Sequence, residues 1–247
     1  MPRATVVKLR GPTRSQIDQA IARSPLARMP VPAREALVTS ARVVHLRSRE
    51  YFIRHGAPAR IGLVVTGFAR SFGSTSDGRE LTFAWGHPGA ILGLGLLVVP
   101  LDTLSWQAVN DVALLELQAD AVRRLGRDDA GVAWAMAEHL GSWLRKALSD
   151  LLLYAYGDLR ARVATRLLEL ACNSPADGPL IASVTQQDLA QAVGASRPSV
   201  ARVLKELRDQ GAVRPLSRGI LVERADVLAA ALDQPPALSP RLQPSPE

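Results

Sequence analysis

The sequence has a single cysteine, Cys172, among its 247 residues. One cysteine forms neither an internal disulfide nor a cysteine zinc site, so both kinds of cross-link are excluded. Aromatic residues make up only 4% of the chain. No stretch reaches the roughly 18 consecutive apolar residues of a membrane span, and the N-terminus lacks the apolar segment of a signal peptide. We therefore expect a cytoplasmic protein with no membrane partner.

The sequence also lacks the patterns that are typical of enzymes. GLGLL at residues 93–97 is only the first half of a GxGxxG motif, and there is no P-loop. A catalytic β-roll would need clustered histidine and carboxylate ligands on facing strands, whereas His45, His55, His87 and His139 are scattered. We predict that the chain is not an enzyme and has no metal site and no bound cofactor.

Positive charge, in contrast, is abundant. The chain has 30 Lys and Arg against 23 Asp and Glu, a formal net charge of +7. Residues 195–218 alone have six basic and two acidic side chains. A local basic excess favours a polyanionic partner, and double-stranded DNA is the partner that we predict.

The stretch QAVGASRPSVARVL at residues 191–204 puts a glycine directly before an arginine-bearing helical pattern. Gly194 adopts positive φ at little cost, and Ser196 is a good N-cap for a helix with Pro198 in its first turn. Upstream, Thr185 and Asp188 resemble a capping box in which Asp replaces the usual Glu. Two short helices joined by a glycine-containing turn predict a helix-turn-helix.

A β-hairpin is predicted directly after the second helix. Gly211 is suited to end that helix, and AVRPLSRGILVER at residues 212–224 contains two β-rich runs around residues 217–219. The whole pattern therefore predicts a winged helix-turn-helix. The residues predicted to contact DNA are Thr185, Gln186, Gln187, Ser196, Arg197, Ser199, Arg202 and Lys205.

The region from residue 43 to residue 117 has a β-type pattern. Its short runs are separated by turns at Gly56, Gly67, Gly78 and Gly89, and they predict an antiparallel β-roll. The runs are VVHL, EYFIR, IGLVVTG, FARSFGST, RELTFAW, GAIL, SWQAV and ALLEL. Two short helices are expected before them, in SQIDQAIARSPLARM and PAREALVTSA.

A long helix is predicted from about Ala130 to Tyr156, and it has two apolar stripes. A helix that is apolar over so wide an arc must bury more than one side. We expect one stripe to pack on the roll and the other to pair with a second copy of the chain in a homodimer. The residues predicted to form the dimer helix are Met136, Leu140, Trp143, Ala147, Leu151 and Tyr154.

These patterns give an α+β chain with five segments. They are a disordered arm (1–14), the β-roll domain (15–129), the dimerisation helix (130–157), the winged helix-turn-helix domain (158–233) and a disordered tail (234–247).

In the order and spacing of these features, the sequence resembles the Crp/Fnr family of transcription regulators over roughly residues 50–223. The resemblance rests on the glycine-punctuated roll, the long helix, RVATRLLELA, and VTQQDLAQAVGASRPSVARVLKELRDQGAV. It implies an effector-type roll of the cyclic-nucleotide-binding kind, a dimerising helix and a DNA-binding winged helix-turn-helix. It also implies a possible RNA polymerase contact at residues 173–179.

The resemblance breaks down at the family's cyclic-nucleotide pocket. Leu94 replaces the glutamate, and Leu104-Ser105 replaces the arginine-serine pair, that hold the cyclic phosphate in cyclic-AMP-binding members. Ala147-Leu148 replaces the polar pair that reads the adenine. A phosphate needs a positive or donor-rich cradle, so we predict that the effector is not a cyclic nucleotide. Pro198 similarly replaces the glutamate that follows the first recognition arginine in much of the family.

The effector itself is left open. An apolar or aromatic molecule is one alternative, and its predicted pocket residues are Arg70, Trp85, Leu94, Leu97, Trp106, Leu144 and Leu148. The same residues equally suit the ordinary core of a small roll, in which case the regulator is effector-independent. A haem or gas sensor using one of the four histidines, and a cyclic-AMP-responsive regulator, are the remaining alternatives.

Overall fold

The computed structural model describes residues 11–74, 80–99, 104–171, 179–217 and 219–230. The chain divides into two compact units, Met1–Leu144 and Arg145–Glu247, and their boundary falls inside its longest helix. The predicted tail, the predicted turn at Gly78, residues 1–10 of the predicted arm and residues 173–178 lie outside the described residues.

The described part of the first unit starts with helices and continues with strands, as the sequence predicted. Its first helical elements are α1 (Arg14–Ala22), a 3₁₀ turn (Pro25–Arg28) and α2 (Val31–Thr39). The strands are β1 (Arg42–Leu46), β2 (Tyr51–Ile53), β3 (Ile61–Thr66), β4 (Ala69–Ser74), β5 (Glu80–Gly86), β6 (Ile91–Leu92), β7 (Leu104–Ala108) and β8 (Val112–Leu117). Each predicted β-rich run overlaps one of these strands, so the predicted roll is confirmed.

The strands form two four-stranded antiparallel sheets, in the orders β1-β8-β3-β6 and β2-β7-β4-β5. Successive side chains of a strand point to opposite faces, and β3 shows the consequence. Val64 belongs to the apolar core that the two sheets share. Its neighbours Leu63 and Val65 belong to a second core, against the helices. Central strands of the first sheet are therefore apolar on both faces.

Two helices of the first unit were not predicted. α3 (Leu94–Val98) lies within an apolar run that has no helical period, and α4 (Ala119–Asp128) is rich in charge. Val122 of α4 is fully buried, and Ala119, Ala121 and Leu125 pack partly against the same core. Helical periodicity is read over about 11–18 residues, whereas α4 has only ten residues, half of them charged.

The second unit is helical, with a small sheet. It takes in the C-terminal part of α5 (Ala130–Tyr156), which begins in the first unit, and then α6 (Leu159–Ala171), β9 (Ile181–Ala182), α7 (Gln186–Val193), α8 (Arg197–Asp209), β10 (Val213–Leu216), β11 (Gly219–Val222) and α9 (Ala225–Ala230). The sheet has the order β10-β11-β9. Helix, turn, helix and hairpin follow one another as predicted.

Among the described residues, none of the helices combines the length and the apolar character that spanning a membrane would require.

Candidate nucleic-acid interface

The first helix of the motif, α7, begins at a side-chain cap. The Thr185 hydroxyl accepts a hydrogen bond from the Asp188 backbone N–H at 3.1 Å and donates to the Asp188 carboxylate at 2.6 Å. The hydroxyl thus satisfies one of the N–H groups that a helix start leaves unpaired. Gln186 and Gln187 follow Thr185 in the first turn of α7. The side chains of Thr185, Gln186 and Gln187 are exposed, and that of Asp188 is half-buried.

The turn between α7 and α8 requires its glycine. Gly194 has φ 64° and ψ 39°, which is the left-handed backbone conformation. Residues with a Cβ adopt this conformation only at a cost in free energy, whereas glycine adopts it readily. The Ala195 backbone N–H then donates to the Ala190 carbonyl oxygen at 3.0 Å. Ser196 caps α8 by accepting from the Ser199 N–H at 3.3 Å. Its hydroxyl also lies 2.8 Å from the Ser199 hydroxyl.

The second helix, α8, is divided between a buried arc and an exposed one. Val200, Val203, Leu204 and Leu207 are buried. At about 100° per residue, Arg202 and Lys205 lie on the opposite arc. Arg197, the first residue of α8, lies at the edge of the buried arc beside Leu204. All three side chains are exposed. Within the described part of the chain, none of these three cations is ion-paired to a carboxylate. They are therefore available to an external polyanion.

Ser199 differs from the other predicted DNA-contacting residues because it is half-buried and its hydroxyl bonds to Ser196. Its observed contact stabilises the helix start. Two further exposed arginines border the site and were not singled out from the sequence. Arg208 lies on the last turn of α8, and Arg214 of β10 pairs with Glu223 at 2.8 Å. Arg208 and Arg214 are among the six basic residues counted above in residues 195–218.

A buried ionic cluster joins α6 to the C-terminal half of α5. The Arg166 guanidinium contacts the Asp150 carboxylate at 2.9 Å and the Glu169 carboxylate at 2.6 Å, and Lys146 contacts both carboxylates at 2.6 Å. Burial by itself lowers the pKa of Arg166, but the charges of Glu169 and Asp150 outweigh it, so its pKa is raised. Arg166 is therefore held in its charged form within the helical core.

The residues predicted for the dimer helix occupy different faces of α5. Met136 packs against the core of the roll, and the Tyr154 hydroxyl donates to the Ala192 carbonyl oxygen of α7. Leu140 and Ala147 are half-buried, whereas Trp143 and Leu151 are exposed. Met136 and Tyr154 thus have partners inside the chain, whereas Trp143 of the same stripe is open to solvent. The neighbouring stripe, with Leu144, Leu148 and Leu151, is exposed.

The residues predicted for an effector pocket are also dispersed. Leu94 and Leu97 belong to the core against the helices, and Trp106 belongs to the core between the sheets. Leu144 and Leu148 of α5 are each 54% exposed. Leu94, Leu97 and Trp106 thus have the core role that the sequence left open as the alternative.

Arg70, one of the predicted pocket residues, is already paired inside the protein. It is buried, donates to the Glu80 carboxylate at 2.6 Å and to the Gln107 side chain at 3.0 Å, and stacks over Phe72. On the neighbouring strand, the buried indole N–H of Trp85 has no hydrogen-bond acceptor among the described residues. An effector carboxylate would have to compete with Glu80 for the arginine.

The helix α8 follows a glycine turn, begins at a serine cap, exposes three cations and is followed by a β-hairpin. These features define a winged helix-turn-helix protein of the DNA-binding class. Comparison with protein families agrees. Residues 161–231 match the Crp-like helix-turn-helix domain, and residues 43–129 match the cyclic nucleotide-binding domain.

Curated relatives and solved structures extend the comparison. The cyclic AMP receptor protein of Thermus thermophilus is 36% identical over 153 residues, which are 62% of this chain and 69% of that protein. The cAMP-activated global transcriptional regulator Vfr of Pseudomonas aeruginosa is 30% identical over 156 residues, 59% of this chain and 72% of the relative. The structure of FixK2 from Bradyrhizobium japonicum is similar at a TM-score of 0.71 and 26% identity, covering 77% of this chain and 96% of that one.

The chain belongs to the Crp/Fnr family of DNA-binding transcription regulators, which is not a family of enzymes. The resemblance inferred from its motifs is confirmed.

Proposed function

We propose that the chain acts as a homodimer and binds a two-fold palindromic operator, with one α8 helix in each of two successive major grooves. The observation that carries this proposal is that Arg197, Arg202 and Lys205 are exposed on a helix whose apolar face, from Val200 to Leu207, is buried. A dimer with one recognition helix per subunit matches half-sites about one helical turn of DNA apart.

The homodimer is supported by the solvent-facing stripe of α5. Its positions follow one another in steps of three and four residues, the spacing of a coiled-coil seam, and every one is exposed. They are Trp134, Ala137, Gly141, Leu144, Leu148, Leu151 and Ala155. Leu148 and Leu151 are 54% and 63% exposed. Such a stripe in water marks an interaction surface, and its spacing fits a second copy of the same helix.

Base reading is assigned to Arg197 and Arg202. They are about 7.5 Å apart along the helix axis, which corresponds to roughly two base-pair steps of B-DNA. Arginine recognises guanine through its O6 and N7 atoms with two parallel hydrogen bonds. Thr185, Gln187 and Lys205 are assigned to phosphates, which fix the position of the helix without reading sequence.

The effector is proposed to be other than a cyclic nucleotide, although the two curated relatives named above carry cyclic AMP in their names. Support comes from the side chains at the pocket positions. Leu94 is buried in an apolar core, and Leu104 packs partly against the other one. The buried Arg70 is already neutralised by Glu80. Leu94 and Leu104 offer hydrocarbon where a cyclic phosphate needs donors or positive charge.

Binding-site selection from a random DNA library tests the DNA-binding proposal. The wild-type protein is expected to select a palindrome with guanines at the arginine-read positions. Pro198→Glu is expected to add a preference at one further base pair per half-site, because glutamate accepts from a cytosine amino group and proline does not. Selection of an asymmetric site, or of no site, would contradict the proposal.

A further inference from the structure

The last turn of α7, which leads directly into the recognition helix, is held by two side chains from outside the motif. The Tyr154 hydroxyl, near the end of α5, donates to the Ala192 carbonyl oxygen. The Arg162 guanidinium of α6 donates to the Val193 carbonyl oxygen at 3.0 Å. Both contacts lie within the second compact unit.

These bonds supply what the α7 backbone lacks. The last four carbonyl groups of a helix have no partner inside it. The Ala190 carbonyl is satisfied by the backbone of the turn, since it accepts from the N–H groups of Gly194 and Ala195. Tyr154 and Arg162 satisfy the carbonyls of Ala192 and Val193, and Ala192 and Val193 are both buried. A buried carbonyl without a donor has no compensation for the loss of its bond to water, so removing the donor would destabilise this conformation of the turn.

Tyr154 and Arg162 are themselves fixed by their surroundings. A two-residue break, Gly157-Asp158, separates α5 from α6, and Asp158 caps α6 through the Ala161 N–H at 2.7 Å. This places the Arg162 guanidinium over the Tyr154 ring, 5.8 Å from its centroid. Both donors to α7 are thus held at the junction of α5 and α6.

We propose that Tyr154 and Arg162 are positioning residues for the recognition helix α8. They fix the α7–α8 turn, so that α8 presents its base-reading arginines in one orientation. The inference rests on the proposed function, because it concerns selective operator binding. General attraction to phosphates depends on charge, whereas base reading depends on a fixed helix orientation. Loss of the positioning contact should therefore reduce selectivity and leave non-specific affinity almost unchanged.

The matched variants are Tyr154→Phe and Tyr156→Phe. Tyr154→Phe removes the donor and keeps the ring, whereas Tyr156, two residues on, is 59% exposed. In the described part of the chain, its hydroxyl makes no hydrogen bond. The first measurement is amide hydrogen exchange of the DNA-free protein. Exchange at Gly194 and Ala195 is expected to rise about threefold to tenfold in Tyr154→Phe, as for the loss of one hydrogen bond. It should be unchanged in Tyr156→Phe.

The second measurement is the ratio of operator affinity to non-specific DNA affinity at one salt concentration. Tyr154→Phe is expected to lower this ratio about threefold to tenfold, and Arg162→Lys is expected to lower it as well. A variant that lowers the melting temperature but keeps both the ratio and the turn exchange of the wild type would overturn the proposal, because Tyr154 would then be merely structural. If the wild-type protein shows no operator preference, the proposed function fails instead. Hydrogen exchange then still decides whether Tyr154 holds the turn.

Discussion

Arg166 of α6 and Asp150 of α5 form an ion pair at 2.9 Å in which both side chains are almost entirely excluded from solvent. Removing one partner of a buried pair leaves an uncompensated charge in the core, which is more destabilising than removing both. The pair therefore makes the junction of α5 and α6 sensitive to single substitutions.

Arg166→Met is expected to lower the free energy of unfolding by about 3 kcal/mol, at the small end of the usual range because Lys146 still contacts both carboxylates. The double variant Asp150→Asn/Arg166→Met should recover part of the loss, since it removes the orphaned charge. Urea unfolding measures both. Arg208→Met, at an exposed position, is the control and should change stability by less than about 0.5 kcal/mol. Equal effects of Arg166→Met and Arg208→Met would contradict this prediction.

Leu148→Glu is expected to dissociate the homodimer at micromolar concentration. The substitution places a charge in the middle of the exposed seam of α5, where its desolvation opposes pairing. Sedimentation velocity measures the association. Ser142→Glu, exposed on another face of the same helix, should leave it intact. A wild-type protein that sediments as a monomer would refute the dimer itself.

Arg202→Ala and Lys205→Ala are expected to weaken operator binding in different ways. Loss of a guanine-reading arginine should cost about 1–3 kcal/mol and flatten the preference at one base pair. Loss of a phosphate-contacting lysine should weaken binding to all sequences alike and reduce the salt slope by about one. Fluorescence anisotropy with matched and mismatched operators, at several salt concentrations, separates the two effects. Identical salt slopes for both variants and the wild type would reject the assignment of Lys205.

Cyclic AMP is expected to produce no heat of binding in titration calorimetry and no change in operator affinity. The reason is the apolar surroundings of Leu94 and the neutralised Arg70. A thermal-shift screen of small aromatic and fatty acids should run beside it, since a bound effector raises the melting temperature by mass action. Micromolar binding of cyclic AMP would overturn the proposal that the effector is another molecule.

Glu116 is expected to make the roll sensitive to acid. Burial raises the pKa of its carboxyl, but the hydrogen bonds and charges of Arg60 and Arg42 outweigh it and lower the pKa below its ordinary 4.5. The charged carboxylate therefore stabilises the fold above about pH 4.5, and this contribution is lost as pH falls below that value.

Urea unfolding of the wild type and Glu116→Gln from pH 7 to pH 3 measures the effect. The difference in unfolding free energy should be about 1 kcal/mol at neutral pH and shrink as Glu116 becomes protonated. Glu138→Gln, which loses a more exposed pair with Arg28, should show a small difference throughout. A Glu116→Gln difference that does not vary with pH would show that the carboxylate charge contributes nothing.

The sequence by itself determined the elements whose signals are local. Gly194, Ser196 and Thr185 specify their turn and caps through their own backbone and neighbouring N–H groups, so the helix-turn-helix was predictable from residue type and spacing. The roll was predictable for a similar reason, because short β-rich runs between glycine turns need no knowledge of their partners. α4 escaped prediction because half of its ten residues are charged, which obscures the positions that pack on the core.

Only the tertiary structure decided which partner each side chain has. The two apolar stripes of α5 look alike in the sequence. Met136 and Tyr154 turn out to face the chain's own core and α7, and Leu144, Leu148 and Leu151 remain exposed. The pairing of Arg70 with Glu80, and of Arg166 with Asp150 sixteen positions away, likewise depends on strand register and helix packing. The spacing of residues along a helix or strand fixes the face on which each side chain lies. Which other element packs against that face is decided by the whole fold.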